Sequence, residues 1–210
     1  MTILPSQAVV LTAVLAGVRL EGRIWRGLVR GVLRRPDVPE RSVPFTHHRT
    51  LAPVRWIGMG VLVLEVGVVH LLMPSGPVRL VLLALGVYSL IWVLGYLLGS
   101  GPVRPHLVSR TAVVIRNGLS TEVSVPADLI ESVHVDRQSR PRMASLQCQD
   151  DVLHVVDNGG TALHLALTKP LCVVLPRGRT AQVTDIRIWV DEPREMADAI
   201  RRVSMSGAAK

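Results

Sequence analysis

Aromatic side chains make up only 3% of this chain. A nucleic-acid surface interleaves aromatic residues with a basic patch, and the carboxy-terminal half shows no such interleaving, so nucleic acid is not an expected partner. Cysteine is also scarce: Cys148 and Cys172 are the only two, with no C-x-x-C and no Cys/His ligand spacing around them. That argues against a disulfide-stapled secreted domain and against a zinc ribbon, and both thiols are expected to be reduced and packed.

The common catalytic signatures are missing as well. There is no G-x-S-x-G, no H-E-x-x-H, no phosphate-binding glycine loop and no dinucleotide fingerprint. Asn158-Gly159-Gly160 precedes no helix and reads as a turn. Asp150, Asp151 and His154, with His164 on a possible neighbouring strand, come nearest to a metal or acid–base cluster, but hairpin-edge acids and strand-surface histidines account for the same residues. The expectation is a protein that is not an enzyme, with no catalytic residue, no cofactor and no metal.

What the sequence does have is oily sequence, with 49% apolar residues. Trp56–Met73 and Val78–Gly99 are separated only by Pro74-Ser75-Gly76-Pro77. At about 1.5 Å per helical residue each run reaches across a hydrocarbon core of roughly 30 Å, the first barely and the second comfortably. Residues 56–99 therefore read as a transmembrane helical hairpin, its proline- and glycine-rich turn sending the second helix back beside the first.

The formal charge of +8 follows the same geography. Residues 1–55 carry nine Arg against Glu21, Asp37 and Glu40, a net of +6, whereas residues 100–210 carry 14 basic and 12 acidic side chains. Arg49 and Arg55 precede the first span, Arg104 and Arg110 follow the second, and the turn between them has neither Lys nor Arg. Basic residues just outside a span mark its cytoplasmic end, so a multi-pass protein of the plasma membrane with both termini cytoplasmic is expected. Arg79, just inside the second span, can snorkel to the interface.

Within residues 1–35, Arg19, Arg23, Arg26, Arg30 and Arg34 recur on one helical face, with Ile24, Trp25, Leu28, Val29 and Val32 on much of the rest. A basic face opposite an apolar one predicts an interfacial helix whose guanidinium groups meet anionic lipid headgroups; the alternative is an ordinary helix packed on the soluble domain or the hairpin with its arginine row in water. Ala8–Val18 is apolar but too short to span alone. Residues 36–55, with prolines 36, 39, 44 and 53, read as a linker in which His47 and His48 are solvated. In the hairpin, Glu65 lies near the middle of the first span and must be neutral or paired, with Tyr88, Ser89 or Tyr96 as candidate partners. His70, five positions on, does not share its face. Gly95 and Gly99 form a G-x-x-x-G match, a possible surface for a homo-oligomer.

Beyond Gly99 the pattern turns to strands. Expected strands are Leu107–Arg116, Ser120–Val125, Ser132–Arg137, Ala144–Gln149, Val152–Val156, Ala162–Leu167, Leu171–Leu175 and Val183–Val190, with a type I′ turn at Asn117-Gly118. A helix with apolar residues Met196, Ala199, Ile200 and Val203 closes the chain, and residues 205–210 form a frayed tail. The stretch AVVIRNGLSTEVSVPADLIESVHV, Ala112–Val135, resembles the opening of bacterial pleckstrin-homology-like (PH-like) domains, many of which follow a pair of transmembrane helices. The resemblance covers residues 105–204 and implies a bent sandwich or barrel of about seven strands with a carboxy-terminal capping helix. The fold expected is thus a membrane α-helical hairpin plus an all-β domain. Arg116 stands alone in the first hairpin, so the resemblance does not bring a phosphoinositide pocket with it.

Two functions fit. One is a non-catalytic integral membrane protein whose cytoplasmic PH-like domain is a protein-interaction or scaffolding module. The other is an accessory subunit of a membrane transport or secretion assembly, with Glu65 as an intramembrane contact or an ion or proton site.

Overall fold

In the computed structural model the described residues form four α-helices and two β-sheets. The structure describes residues 7–119, 121–139, 145–157 and 159–207. The hairpin forms as α2 (Ala52–Leu72) and α3 (Pro77–Ser100), each with proline in its first turn, where a missing N–H removes no helical hydrogen bond. Both helices are long and apolar enough to cross a membrane, with mean hydropathies of 1.6 and 2.2. Their oily side chains point outward; Leu71 and Leu72 are 77% and 79% exposed, and no residue of α2 is buried. Such a continuous apolar surface marks membrane association.

The first helix packs on the hairpin, the second of the two arrangements expected for it. α1 runs from Gln7 to Val32 and lies along α3 instead of in a plane across it. Glu21 meets Tyr88 and Trp92, Ile24 meets Gly95, Gly27 meets Gly95 and Gly99, and Gly31 meets Leu98. Partner numbers rise together, so the two helices are parallel. The cause is a pair of matching flat strips: with no Cβ on Gly27 or Gly99, the two backbones come into direct contact. Gly95 and Gly99 are thereby buried against the chain's own first helix, which occupies the face expected for self-association.

The linker departs from expectation. Ser42–Phe45 is a strand, β1, antiparallel to β2 (His106–Ser109), with Ser42 opposite Ser109 and Phe45 opposite His106. Pro44 is tolerated because β1 is an edge strand, and Phe45 is buried in the domain core. The apolar hairpin is therefore an insertion between two paired strands of one sheet.

That sheet runs β1-β2-β3-β4, with β3 Ala112–Asn117 and β4 Thr121–Pro126. The stretch expected as one strand, Leu107–Arg116, is two, because the Ser109 hydroxyl bridges the Ala112 amide and carbonyl and turns the chain. The Asn117-Gly118 turn is wider than type I′: Asn117 pairs with Thr121, and Leu119 is buried against Gly99. The second sheet runs β5-β8-β9-β7-β6. Its strands are β5 Ile130–Ser139, β6 Leu146–Gln149, β7 Val152–Val155, β8 Gly160–Val174 and β9 Thr180–Ile188, and β7 lies parallel to β9. Residues 162–167 and 171–175, expected as separate strands, belong mostly to β8, which carries a bulge between Ala166 and Leu171. The tight turn with two positive φ angles falls at Asp150 and Asp151.

Between the sheets lie Val113, Val125, Leu153, Leu163, Leu165, Val183, Ile186 and Ile188, all without exposed surface. The closing helix α4 (Pro193–Gly207) adds Met196, Ala197, Ala199 and Ile200 to that core and packs on β5 and β2. Each fully buried side chain of this size contributes roughly 1.5–3 kcal/mol.

A Cβ at Gly27 would lie 2.8 Å from the Gly99 Cα and 2.9 Å from the Gly95 carbonyl oxygen, both backbone atoms. Gly27→Ala is accordingly expected to lower stability in detergent by roughly 1–3 kcal/mol. At Gly58 on α2 a Cβ meets nothing within 4 Å. Gly58→Ala is expected to be neutral or stabilising by up to about 1 kcal/mol. Thermal unfolding of the two variants side by side checks the contrast, and equal midpoints would remove the α1–α3 contact.

Candidate functional site at the helix–sheet junction

The site lies where the last turns of α1 and α3, the entry to α2 and the edge of the β domain meet. The chain crosses this boundary three times, and each crossing is tied by charge. Arg55 of α2 reaches Asp157 at 3.1 Å, and Arg49 reaches Glu192 at 2.5 Å while its amide donates to Asp191 at 3.1 Å. Asp191 also accepts the Thr50 hydroxyl. Burial pushes the Asp191 carboxyl upward, but the Arg49 amide, nearby His48 and the Thr50 hydroxyl act against it and the group lies below its ordinary range.

On one side of the junction is a histidine pocket. His47 stacks on His106 with ring centroids 4.5 Å apart, and both rings are buried. His106 donates from Nε2 to the Trp189 carbonyl at 3.0 Å and accepts the Arg116 amide at Nδ1, 3.1 Å away, which defines a neutral tautomer. Complete burial pushes its pKa down to about 3, and burial also lowers that of His47. The solvated pair expected at 47 and 48 is thus instead a packed one, because β1 delivers His47 onto His106. A cavity of about 330 Å³ opens beside these rings, walled by Arg55, Tyr96, Ser100, Asp157 and Trp189 among others.

On the other side is an arginine-lined cavity of about 300 Å³, bounded by Arg23, Arg26, Gly27, Arg30, Asp37, Gly99, Val103, Arg104 and Leu119. Arg104 donates to the Leu119 carbonyl at 2.6 Å and to Glu122 at 3.0 Å, yet its buried Nε has no partner. Asp37 pairs with Arg30 at 2.5 Å and faces Arg116 at 3.5 Å. Against the upward push of burial, these two cations hold its carboxyl below the ordinary range.

Of the arginine row, the structure brings Arg23, Arg26 and Arg30 to this cavity; Arg19 and Arg34 do not line it. Glu65 is exposed on α2 and makes no hydrogen bond to a described residue. Two of its expected partners, Tyr88 and Ser89, are taken elsewhere. Tyr88 donates to Glu21 at 2.8 Å, because α1 and not α2 covers that face of α3, and Ser89 donates to the Leu85 carbonyl of its own helix. His70 sits at the far end of the hairpin, with the Arg79 guanidinium 3.0 Å from its ring. His164 bonds Asp185 at 2.7 Å in a surface network. Among the described residues no group of three or more His, Cys, Asp or Glu is placed to hold a metal. Cys148 is part-buried and Cys172 exposed, so only the first is packed.

Sequence reasoning missed Asp37, His47, Arg104 and His106. Only Arg104, next to the glycine–proline break, carried a signal. Comparison with protein-family models, curated proteins and solved structures finds no match to this chain.

A histidine whose folded pKa lies below its unfolded value of about 6.5 contributes its full stability above that pH and loses it as pH falls toward 3. Thermal stability is therefore expected to decline between pH 6.5 and 4.5, above the range of the carboxylates, at up to about 1.4 kcal/mol per pH unit. His106→Gln should be less stable at pH 7 and flatter across that window. Unfolding midpoints at pH 7.0, 6.0 and 5.0 decide it; parallel slopes for both proteins would refute the assignment.

Proposed function

We propose that this chain is a non-catalytic integral membrane protein that presents a PH-like β domain at the cytoplasmic face as a protein-interaction or scaffolding module. The observation that carries the reading is the insertion of the apolar hairpin between β1 and β2. A hairpin joined by one flexible tether would let the domain swing. One joined at both ends to paired strands presents the domain in a set orientation to the bilayer. Two sheets closed at one end by a final helix support the PH-like assignment, while the parallel β7–β9 pair and a first strand placed before the hairpin are departures from it.

Arg49, Arg55, Arg104 and Arg110 flank the end of the hairpin that carries the β domain, which argues for the cytoplasmic side of a plasma membrane. The direction of α1 revises the expected position of the amino terminus. Because α1 runs parallel to α3, its apolar first half continues beside the first half of α3 toward the hairpin turn. In this reading the amino terminus faces away from the β domain. Reporter fusions at each end test it: a carboxy-terminal reporter is expected to be active inside and an amino-terminal one outside. Release of the protein by alkaline carbonate would sink membrane integration altogether.

The second reading, an accessory subunit of a transport or secretion assembly, draws on Glu65, exposed in mid-span with no hydrogen bond to a described residue. A carboxyl group there favours a polar contact from another membrane helix. Glu65→Leu is expected to abolish cross-linking to that helix from a photoreactive residue at position 61, with insertion unchanged. Absence of any such cross-link in the parent protein favours the first reading.

A further inference from the structure

We infer that the arginine-lined cavity between α1 and the β domain holds one phosphate group, that of an anionic phospholipid seated at the end of α1 and α3. The inference rests on the membrane reading above and gives the arginine row a defined ligand in place of a diffuse surface.

The argument begins with unmatched charge. α1 contributes Arg23, Arg26 and Arg30, and the segment leading into β2 contributes Arg104. Arg30 has Asp37 and Arg104 has Glu122. Arg23 and Arg26 make no hydrogen bond or ion pair with a described residue, and the Arg104 Nε is buried without a partner. Like charges held around one cavity repel, and burial together with Arg116 disfavours the charged form of Arg104. An anion with several acceptor oxygens relieves all three. Phosphate suits guanidinium forks because it accepts paired N–H groups from more than one side.

Position selects the lipid as the source. The cavity floor is Gly99, in the last turn of α3, where a helix leaving the bilayer passes the headgroup layer. Trp25 and Val29, next to the arginines on α1 but outside the cavity lining, are 43% and 55% exposed and leave apolar surface open to lipid. A volume of about 300 Å³ exceeds what a bare phosphate fills.

The test uses the full chain in detergent, with native mass spectrometry after adding phosphatidylglycerol, phosphatidylcholine or inorganic phosphate. One phosphatidylglycerol per chain is expected to be retained in preference to phosphatidylcholine. Arg23→Gln/Arg26→Gln is expected to weaken that retention by about tenfold or more, since each charge-assisted contact is strong. Neither arginine anchors the fold, so the double variant should unfold at an unchanged temperature. Arg19→Gln, on the same helical face but off the cavity, should retain lipid like the parent. Equal loss with Arg19→Gln would mean a diffuse basic surface and overturn the site. Binding of inorganic phosphate alone, sensitive to the same double variant, would overturn the lipid and leave a soluble anion as ligand. Failure of the membrane reading is read separately, as carbonate release with phosphate binding intact.

Discussion

The pairing of β1 with β2 is the constraint on which the rest depends. Phe45 and His106 stand opposite each other on adjacent strands, yet 60 residues of chain separate them, including both long apolar helices. Closing a loop of that length costs conformational entropy that grows only slowly with its size, and the helices inside it are already rigid. What the pairing then fixes is orientation. His47, two residues past Phe45, stacks on His106 of the last strand pair, and the Arg116 amide of β3 and the Trp189 carbonyl just past β9 hold His106. Neutral imidazole suits this place. It gives one donor and one acceptor to two buried backbone groups without bringing a charge into a site that already abuts Arg116.

Above that clamp the helices are held unequally. α1 and α3 meet through glycines at backbone contact and through Glu21, which accepts from Tyr88, Trp92 and Trp25. α2 meets α3 closely at Gly86 and Val66 and buries no residue of its own. The tight pair is thus the one distant in sequence, and the hairpin neighbour is the loose one. An exposed helix of this kind is finished by its surroundings, whether lipid or another protein.

How much of this could be read in the residues depends on the length scale of each signal. The hairpin and α4 were legible because their patterns are local: uninterrupted apolar runs in one case, a stripe at 196, 199 and 200 in the other. The strand density after residue 105 was legible for the same reason. β1 was not, since four residues around Pro44 carry too little periodicity to stand out in a proline-rich stretch. The direction of α1 was hidden too. An arginine row reads equally well as a helix lying on a surface or one standing beside another, and only the meeting of Gly27 with Gly95 and Gly99 separates them. The Asn117-Gly118 signal was strong but overridden, because Leu119 gains more by burial against Gly99 than a two-residue turn would allow.

The positive charge at the junction also divides into two classes that sequence cannot distinguish. Arg49, Arg55, Arg104 and Arg116 are each matched by an acid, namely Glu192, Asp157 and Glu122, so these cations join helix, linker and sheet to one another. The Arg49 pair is exposed and adds little stability singly, whereas Arg104 and Arg116 are largely buried and share Glu122, so that the contacts form a network at one boundary. Arg23 and Arg26 stand outside that network although they share a helix with Arg30, which belongs to it. Both are exposed to solvent beside Arg30 and Arg104, with no acid of their own among the described residues. That placement suits a counter-charge supplied from outside the chain.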